Sequence, residues 1–319
     1  MILLELSFIM DKRKTGIALF ITLMVIASIM SIIAVSFSYL EKVQKDAGAT
    51  SALIQANLLY GNTVDVLKTF FPAGKDNGDK LNLIYTMPLI LSEEKSGFSL
   101  NLRCQALMIA VPISWLDAEV SSALPAKNTL AKDVFAHIAD LYEIEDPNGL
   151  EEILLQSITG RHLQNIDYKP RLKIQKGIVS KQQFYRIISN YAIKYDDPKA
   201  LKIPWEKYFS FVPVDAKTKI DGAYPSAEFV SAAFGIPIEI VQDAWQSDTE
   251  TDIGTRNTVT LASFLRDNSY PVANKKIYSD KALNAMHCEQ TFAYQERQYG
   301  FKFNYIEGRS SNFEFNGQK

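Results

Sequence analysis

The chain has 319 residues, of which 47% are hydrophobic and 22% charged, an ordinary globular balance that permits a sizeable core. Its 34 basic and 36 acidic residues leave a formal net charge of -2, which excludes general electrostatic recruitment of nucleic acid. Two cysteines are too few for a disulfide framework or a four-cysteine zinc site. Apolar residues, however, are distributed very unevenly along the chain.

Residues 17–39 contain no charged side chain, and a helix of this length spans the roughly 30 Å hydrocarbon core of a bilayer. Lys12, Arg13 and Lys14 precede this segment, which predicts a cytoplasmic start and an exported remainder. A cleaved signal peptide fits less well, because residues 35–40 are bulky where small residues are required. We therefore predict one membrane span.

A long helical continuation follows the apolar segment. No proline occurs between residues 17 and 71, and Leu53, Ala56, Tyr60 and Val64 recur at spacings of three and four. The sequence predicts one helix of about 50 residues whose amphipathic outer half must bury its apolar stripe on another element.

The hydrophobic period then changes twice. Residues 84–92 and 97–105 have the composition and alternation of strands. Helical patterns dominate from about residue 117, and the predicted helices are 128–143, 149–158, 180–195, 226–234 and 238–245. Ser180 is the predicted N-cap of the third of these helices, and Gly235 is the predicted stop of the fourth. Residues 290–319 return to strand composition. This order predicts a sheet that is interrupted by a helical insertion.

The junction at Gly16 resembles the leader of type IV prepilins and pseudopilins, because Lys-Arg-Lys-Thr-Gly is followed directly by Ile-Ala-Leu-Phe-Ile. The resemblance implies that a prepilin peptidase cuts between Gly16 and Ile17. Most such proteins carry Glu at the fifth mature position, where this chain has Ile21, a departure typical of minor pseudopilin K of type II secretion systems. Met10 is a more natural start than Met1, because the leader is then the short MDKRKTG.

Two further segments are similar to the minor pseudopilin K family. Residues 98–102 (FSLNL) resemble its strand entering the insertion, and residues 219–236 resemble its I-N-x-N-T-A-x-x-x-x-L-x-x-L-x-G-I segment, with Asp221 and Ala223 where Asn is usual. The resemblance implies an α+β fold, in which a pilin-like long N-terminal transmembrane helix packs on a small antiparallel sheet interrupted by a large α-helical insertion. The implied layout is a leader (1–16), membrane helix and stem (17–71), first part of the β domain (80–116), helical insertion (117–280) and returning strands (281–319).

The same resemblance implies a non-enzymatic subunit at the tip of a type II secretion pseudopilus, which helps to initiate pseudopilus assembly for export across the outer membrane. The implied location is the inner membrane, crossed once, with the C-terminal domain in the periplasm. The implied partners are other minor pseudopilins, the inner-membrane secretion platform and the prepilin peptidase. Type IV pilus and DNA-uptake systems use similar leaders. The alternative is an uncleaved bitopic inner-membrane protein with a periplasmic ligand-binding or hydrolytic domain.

Residues typical of an active site are sparse. His137, His162 and His287 are unclustered in the sequence, and no H-E-x-x-H, G-x-S-x-G or P-loop motif occurs. Neighbouring residues on a strand face opposite ways, so His287 and Cys288 cannot act together as base and nucleophile. The sequence therefore predicts no catalysis.

Two structural sites remain open from the sequence. Asp248, Glu250 and Asp252 alternate as calcium ligands would, and members of the resembled family bind calcium in the helical domain. Ile253 and Val259, however, stand where an EF-hand needs Gly and Glu, and the alternative is a solvated acidic loop.

The two cysteines form the second open site. Cys104 and Cys288 lie in the two separate β-rich stretches and would meet if both stretches form one sheet. An exported domain favours a disulfide, and the alternative is two buried free thiols.

Overall fold

In the computed structural model, the described residues are 2–93, 98–160, 177–215, 217–246, 259–271, 273–294 and 297–316. Within the first helix, side chains are described at residues 24, 28, 30–39, 42–43 and 48, and from residue 50 onward.

The described residues form helices and strands in the order that the sequence pattern predicts. The helices are α1 (Ile2–Phe70), α2 (Gly78–Thr86), α3 (Pro125–Leu141), α4 (Pro147–Thr159), α5 (Lys181–Tyr195), α6 (Ala227–Phe234), α7 (Ile238–Gln246) and α8 (Leu261–Asp267). The strands are β1 (Leu89–Glu93), β2 (Phe98–Ala106), β3 (Val111–Pro112), β4 (Phe209–Ser210), β5 (Ala285–Tyr294), β6 (Arg297–Ile306) and β7 (Arg309–Asn316).

The main sheet of the described residues has the strand order β1-β2-β5-β6-β7, with every neighbouring pair antiparallel. The pairing of β2 with β5 joins chain segments that lie on either side of the insertion, and places Cys104 directly opposite Cys288. β3 and β4 form a separate short parallel pair inside the insertion.

Two hydrophobic cores divide the chain. We call residues 48–106 and 285–316 the helix–sheet unit, because α1, α2 and the main sheet share one core there. We call residues 107–284 the helical unit, whose larger core contains Trp115 and Trp205. A small cluster of Met108, Val212 and Ala285 lies where the two units meet.

Local signals explain the helix ends of the helical unit. The side chains of Asp146, Ser180 and Ser226 each accept a hydrogen bond from a backbone N–H in the first turn of α4, α5 and α6. Gly160 and Gly235 end α4 and α6 in the left-handed conformation that glycine adopts at little cost. The predictions of Ser180 as a cap and Gly235 as a stop are confirmed.

The predicted class of a helix and an antiparallel sheet interrupted by helices is also confirmed. Two segments differ in detail from the prediction. Residues 84–86, predicted as the start of a strand, instead form the end of α2, because Leu81, Ile84 and Tyr85 recur at helical spacing and pack in the helix–sheet core. Residues 110–116, predicted with the β domain, instead pack in the helical core.

Among the described positions, no helix combines the length and the apolar character needed to cross a bilayer. The predicted membrane segment, residues 17–39, lies on α1, and the side chains at 17–23, 25–27 and 29 fall outside the description. The membrane span stays a prediction.

Candidate partner-binding surface

The inner face of α1 packs on the sheet. Ala52 and Ala56 are fully buried there, and their small side chains let the helix approach the strands closely. Val64 and Leu67 extend the same buried face toward the end of the helix. The spacings of four, eight and three residues keep these side chains on one side of α1.

An aromatic and a polar contact fix α1 against the sheet. The Tyr60 ring centroid lies 4.8 Å from that of Phe313, 5.2 Å from Phe303 and 6.2 Å from Phe301. The Thr63 hydroxyl donates a 2.8 Å hydrogen bond to Oε1 of Gln290, a fully buried side chain of β5. These contacts therefore fix the orientation of α1 on the sheet and its distance from the strands, in addition to the hydrophobic packing.

The opposite side of α1 is uncovered and carries two large apolar side chains. Ile54 and Leu58 are 57% and 59% exposed, and a Cβ added at Gly61 would meet nothing within 4 Å. We call these three residues the outer face of α1. A helix that buries one apolar face and exposes another can pack against a second helix without giving up its place on the sheet.

Asp221 holds the turn at residues 221–224 against the chain segment that leads into β5, at the boundary between the two units. Its side chain is fully buried, and Oδ1 accepts hydrogen bonds from the backbone N–H groups of Ala223 at 2.8 Å and Tyr224 at 3.3 Å. Oδ2 accepts from the N–H of Leu283 at 3.0 Å, two residues before β5 begins. A carboxylate offers acceptors on both oxygens, which the amide of an Asn does not.

The turn around Asp221 also contacts α2 and the chain before β5. The Tyr224 ring meets the Tyr85 ring edge-on at 5.0 Å, and burial, with the nearby charge of Asp221, raises the pKa of Tyr85. A Cβ added at Gly222 would lie 2.1 Å from the carbonyl oxygen of Ser279. Backbone therefore meets backbone at this point, and glycine is required there.

The structure joins Cys104 of β2 to Cys288 of β5 by a disulfide bond, with the sulfurs 2.01 Å and the Cα atoms 4.1 Å apart. Both residues are buried in the helix–sheet core. The bond lies two residues before the end of β2 and three after the start of β5, next to both points where the chain leaves and re-enters the sheet.

The other predicted site residues are not brought into a described site. Gly16 and Ile17 lie on the backbone of α1, and their side chains fall outside the described ones. Asp248, Glu250 and Asp252 lie in residues 247–258, outside the described residues. Within the described ranges, no group of three or more His, Cys, Asp or Glu side chains is arranged to hold a metal ion.

The histidines do not form a catalytic cluster among the described residues. Nδ1 of His287 lies 2.8 Å from Oδ1 of Asn304, and its neighbour Cys288 is in the disulfide. His137 is exposed on α3, and His162 falls outside the described residues.

Of the comparisons with known proteins, the one with solved structures gives a match. No protein-family profile matches the chain. No curated protein matches it either. A chain in the crystal structure of the GspK-GspI-GspJ complex from the enterotoxigenic Escherichia coli type 2 secretion system matches with a TM-score of 0.50, over 84% of this chain and 98% of that one.

At 11% sequence identity, this likeness shows the fold alone. The fold of the chain is similar to that of a subunit of this secretion complex. The predicted pilin-like architecture is thus supported at the level of helix, antiparallel sheet and their connection.

The sequence analysis does not identify three features of the structure. In the sequence, Asp221 differs from the Asn that is usual in the resembled family, but its hydrogen bonds with Ala223, Tyr224 and Leu283 form only in the fold. The Thr63–Gln290 contact joins residues 227 positions apart and has no local signal. The outer face of α1 does have a signal, since Ile54 and Leu58 are spaced by four residues.

Proposed function

We propose that this protein is a non-enzymatic minor pseudopilin, at the tip of a type II secretion pseudopilus, that helps to initiate pseudopilus assembly. The observation that carries the proposal is the two-sided packing of α1, whose inner face is buried on the sheet while Ile54 and Leu58 stay exposed on the outer face. The fold likeness to a subunit of a type 2 secretion complex supports this role coarsely.

The outer face gives the proposed subunit a place for neighbouring helices. Exposed Ile and Leu side chains at a spacing of four form a ridge that fits the groove of another helix, and Gly61 lets that helix come close. In this proposal the neighbours are the helices of other minor pseudopilins, and the inner-membrane secretion platform is a further partner.

The proposed location is the inner membrane, with the sheet and the helical unit in the periplasm. It follows from the apolar segment 17–39 behind a basic cluster, and the proposed leader ends at Gly16. Ile21 fits a tip position. A Glu there with no subunit above it would be an unpaired charge in hydrocarbon, at a cost of several kcal/mol.

The first test is the intact mass of the membrane-extracted protein, expressed with and without a prepilin peptidase. We expect a peptidase-dependent loss of every residue through Gly16, which leaves Ile17 as the amino terminus. An unchanged mass would contradict the pseudopilin proposal and favour the uncleaved bitopic alternative.

A second test addresses assembly. Leu58→Lys places a charge on the outer face, and Gln55→Lys places the same charge on an exposed polar position of the same helix. Both full-length variants are co-expressed with the other minor pseudopilins of the same system and isolated by a C-terminal tag. We expect Leu58→Lys to reduce co-isolation about tenfold or more and Gln55→Lys to leave it within about twofold. Equal recovery from both variants would contradict a role for this face.

A further inference from the structure

The direction of the backbone hydrogen bonds in β2 can be read from its pairing with β5. The N–H of Leu107 donates a 3.0 Å hydrogen bond to the carbonyl of Ala285. The Cα atoms of Cys104 and Cys288 are 4.1 Å apart, the short spacing of an antiparallel pair that exchanges no backbone hydrogen bonds. Odd-numbered residues of β2 therefore bond to β5, and even-numbered residues bond to β1.

This alternation determines which groups of β1 remain open. Leu89 and Leu91 lie opposite even-numbered residues of β2, so their backbone N–H and C=O groups point toward β2. The N–H and C=O groups of Ile90 and Ser92 then point away from the sheet. In the described part of the chain, no strand pairs with this outer side of β1. Two donors and two acceptors thus point to a strand position that no described strand fills.

An apolar surface accompanies the open backbone groups. Leu83 and Met87, from α2 and just after it, are 60% and 55% exposed, and Leu89 and Leu91 of β1 are 46% and 53% exposed. We call Leu89 and Leu91, which share one face of β1, the β1 shelf. Leu89 and Leu91 pair with residues that are buried in the helix–sheet core, so the shelf continues that core to the edge of the sheet.

The edge is poorly protected against strand addition. Edge strands commonly carry charges, especially Lys, to prevent pairing with another chain, and β1 has no Lys and a single charge, on Glu93 at its end. Pro88 blocks only the position before the strand, because it lacks an N–H.

We propose that β1 receives an extended polypeptide segment of a partner protein as a sixth strand, with alternate apolar side chains on the β1 shelf. The open groups of Ile90 and Ser92 select an extended strand, since only a strand presents donors and acceptors at matching intervals. A second copy is a poor occupant. The five residues of β1 match a short peptide segment, whereas a stable two-fold dimer needs roughly 1,200–2,000 Å² of buried surface. This inference stands on the sheet geometry and does not depend on the proposed function.

The test uses the full-length protein in detergent and a fluorescent peptide of alternating valine and threonine, nine residues long, with a lysine at each end. Fluorescence anisotropy measures its binding. A control peptide carries N-methyl groups on every valine and threonine, which removes the backbone donors of both edges and keeps the side chains. We expect the unmodified peptide to bind at least about tenfold more tightly than the methylated one.

Two variants separate the open backbone groups from the shelf. Ser92→Pro removes one outward N–H and leaves the inward pairing with β2 intact. Leu91→Lys places a charge on the shelf, and Ser99→Lys places the same charge at an exposed position of β2 as the control. We expect Ser92→Pro and Leu91→Lys each to weaken peptide binding about tenfold, with Ser99→Lys within about twofold of the natural chain.

Each other outcome overturns the proposal. Absence of binding to the natural chain excludes strand addition, and equal binding of both peptides shows apolar adhesion without pairing. Self-association in sedimentation velocity that Leu91→Lys abolishes would identify a second copy as the occupant instead. If Ser92→Pro fails to fold, as judged by its disulfide and tryptophan fluorescence, Leu91→Lys against Ser99→Lys decides the outcome.

Discussion

The two units of this chain are held together in different ways. The helical unit is built from consecutive residues, 107–284, and its described part closes around its own core. The helix–sheet unit is built from both sides of that insertion, and its central pairing of β2 with β5 brings together residues 184 positions apart. Local sequence thus specifies one unit, and long-range pairing specifies the other.

The difference also appears at the surface. In the helical unit, large exposed apolar side chains such as Ile193, Leu141 and Ile240 occur singly on different elements, which is normal for a soluble domain. In the helix–sheet unit they are grouped, on the outer face of α1 and on the β1 shelf. The unit that depends on distant pairing is the one whose exposed apolar side chains are grouped.

The three tryptophans of the chain, Trp115, Trp205 and Trp245, all contact the helical core. Tryptophan fluorescence therefore reports the unfolding of the helical unit, and hydrogen exchange of the backbone amides of β5 and β6 reports the sheet. With these two signals, the comparison of the units can be tested variant by variant.

The largest expected effect comes from replacing both cysteines by serine. Cys104 and Cys288 close a loop with a sequence separation of 184 residues, and chain-entropy estimates give about 5 kcal/mol for such a loop. The full value applies when the helical unit is also unfolded, because a folded helical unit already holds the ends of the loop together. We expect the sheet signal to lose up to about that much free energy of unfolding, with the tryptophan transition nearly unchanged. Two transitions that shift together would contradict the independence of the units.

A smaller loss is expected from Gly222→Ala. The added Cβ would lie 2.1 Å from a backbone oxygen, so the turn must move, at a cost of about 3 kcal/mol. Gly61→Ala is the matched control, because it adds the same methyl group in open space and within a helix, where Ala is favoured by about 1 kcal/mol. Chemical denaturation followed by tryptophan fluorescence distinguishes the two, and equal midpoints would refute the close contact.

Asp221→Asn tests the joint between the units. The amide replaces one acceptor oxygen by a donor, which leaves one backbone N–H of the joint without its partner at a cost of about 2 kcal/mol. Because the carboxylate holds both the turn and the chain entering β5, we expect both unfolding signals to shift to lower denaturant. A shift of the tryptophan signal alone would show that Asp221 serves only the helical unit.

The smallest effect is a pH dependence confined to the helical unit. Burial tends to raise the pKa of Glu206, but hydrogen bonds from Lys181 and Tyr185 outweigh it and hold the pKa below its ordinary value of 4.5. A lowered pKa in the folded state stabilises the fold above the ordinary value, and this contribution is lost as the pH falls through the lowered value. We expect Glu206→Gln to flatten the acid side of the stability curve measured by tryptophan fluorescence, and an unchanged slope would contradict this assignment.

Prediction from the sequence succeeded where the signal is local. Ser180 and Gly235 marked helix ends because capping depends on neighbouring residues. The strand predicted at 84–92 begins later than predicted, because residues 84–86 end α2. Their apolar pattern fits the helical and the strand period equally well, and packing against β2 decides between the two. The joint at Asp221 and the open edge of β1 depend on contacts and strand order that no local pattern contains.

The position of the disulfide has a mechanical consequence. Tension applied between α1 and the last strand would pass from Cys104 directly to Cys288 through the covalent bond. The intervening segment, with a separation of 184 residues and a fully extended length of about 600 Å, would carry none of that load. The helical unit is therefore attached to the chain as a side loop, and it stays folded under a pull that stretches the rest.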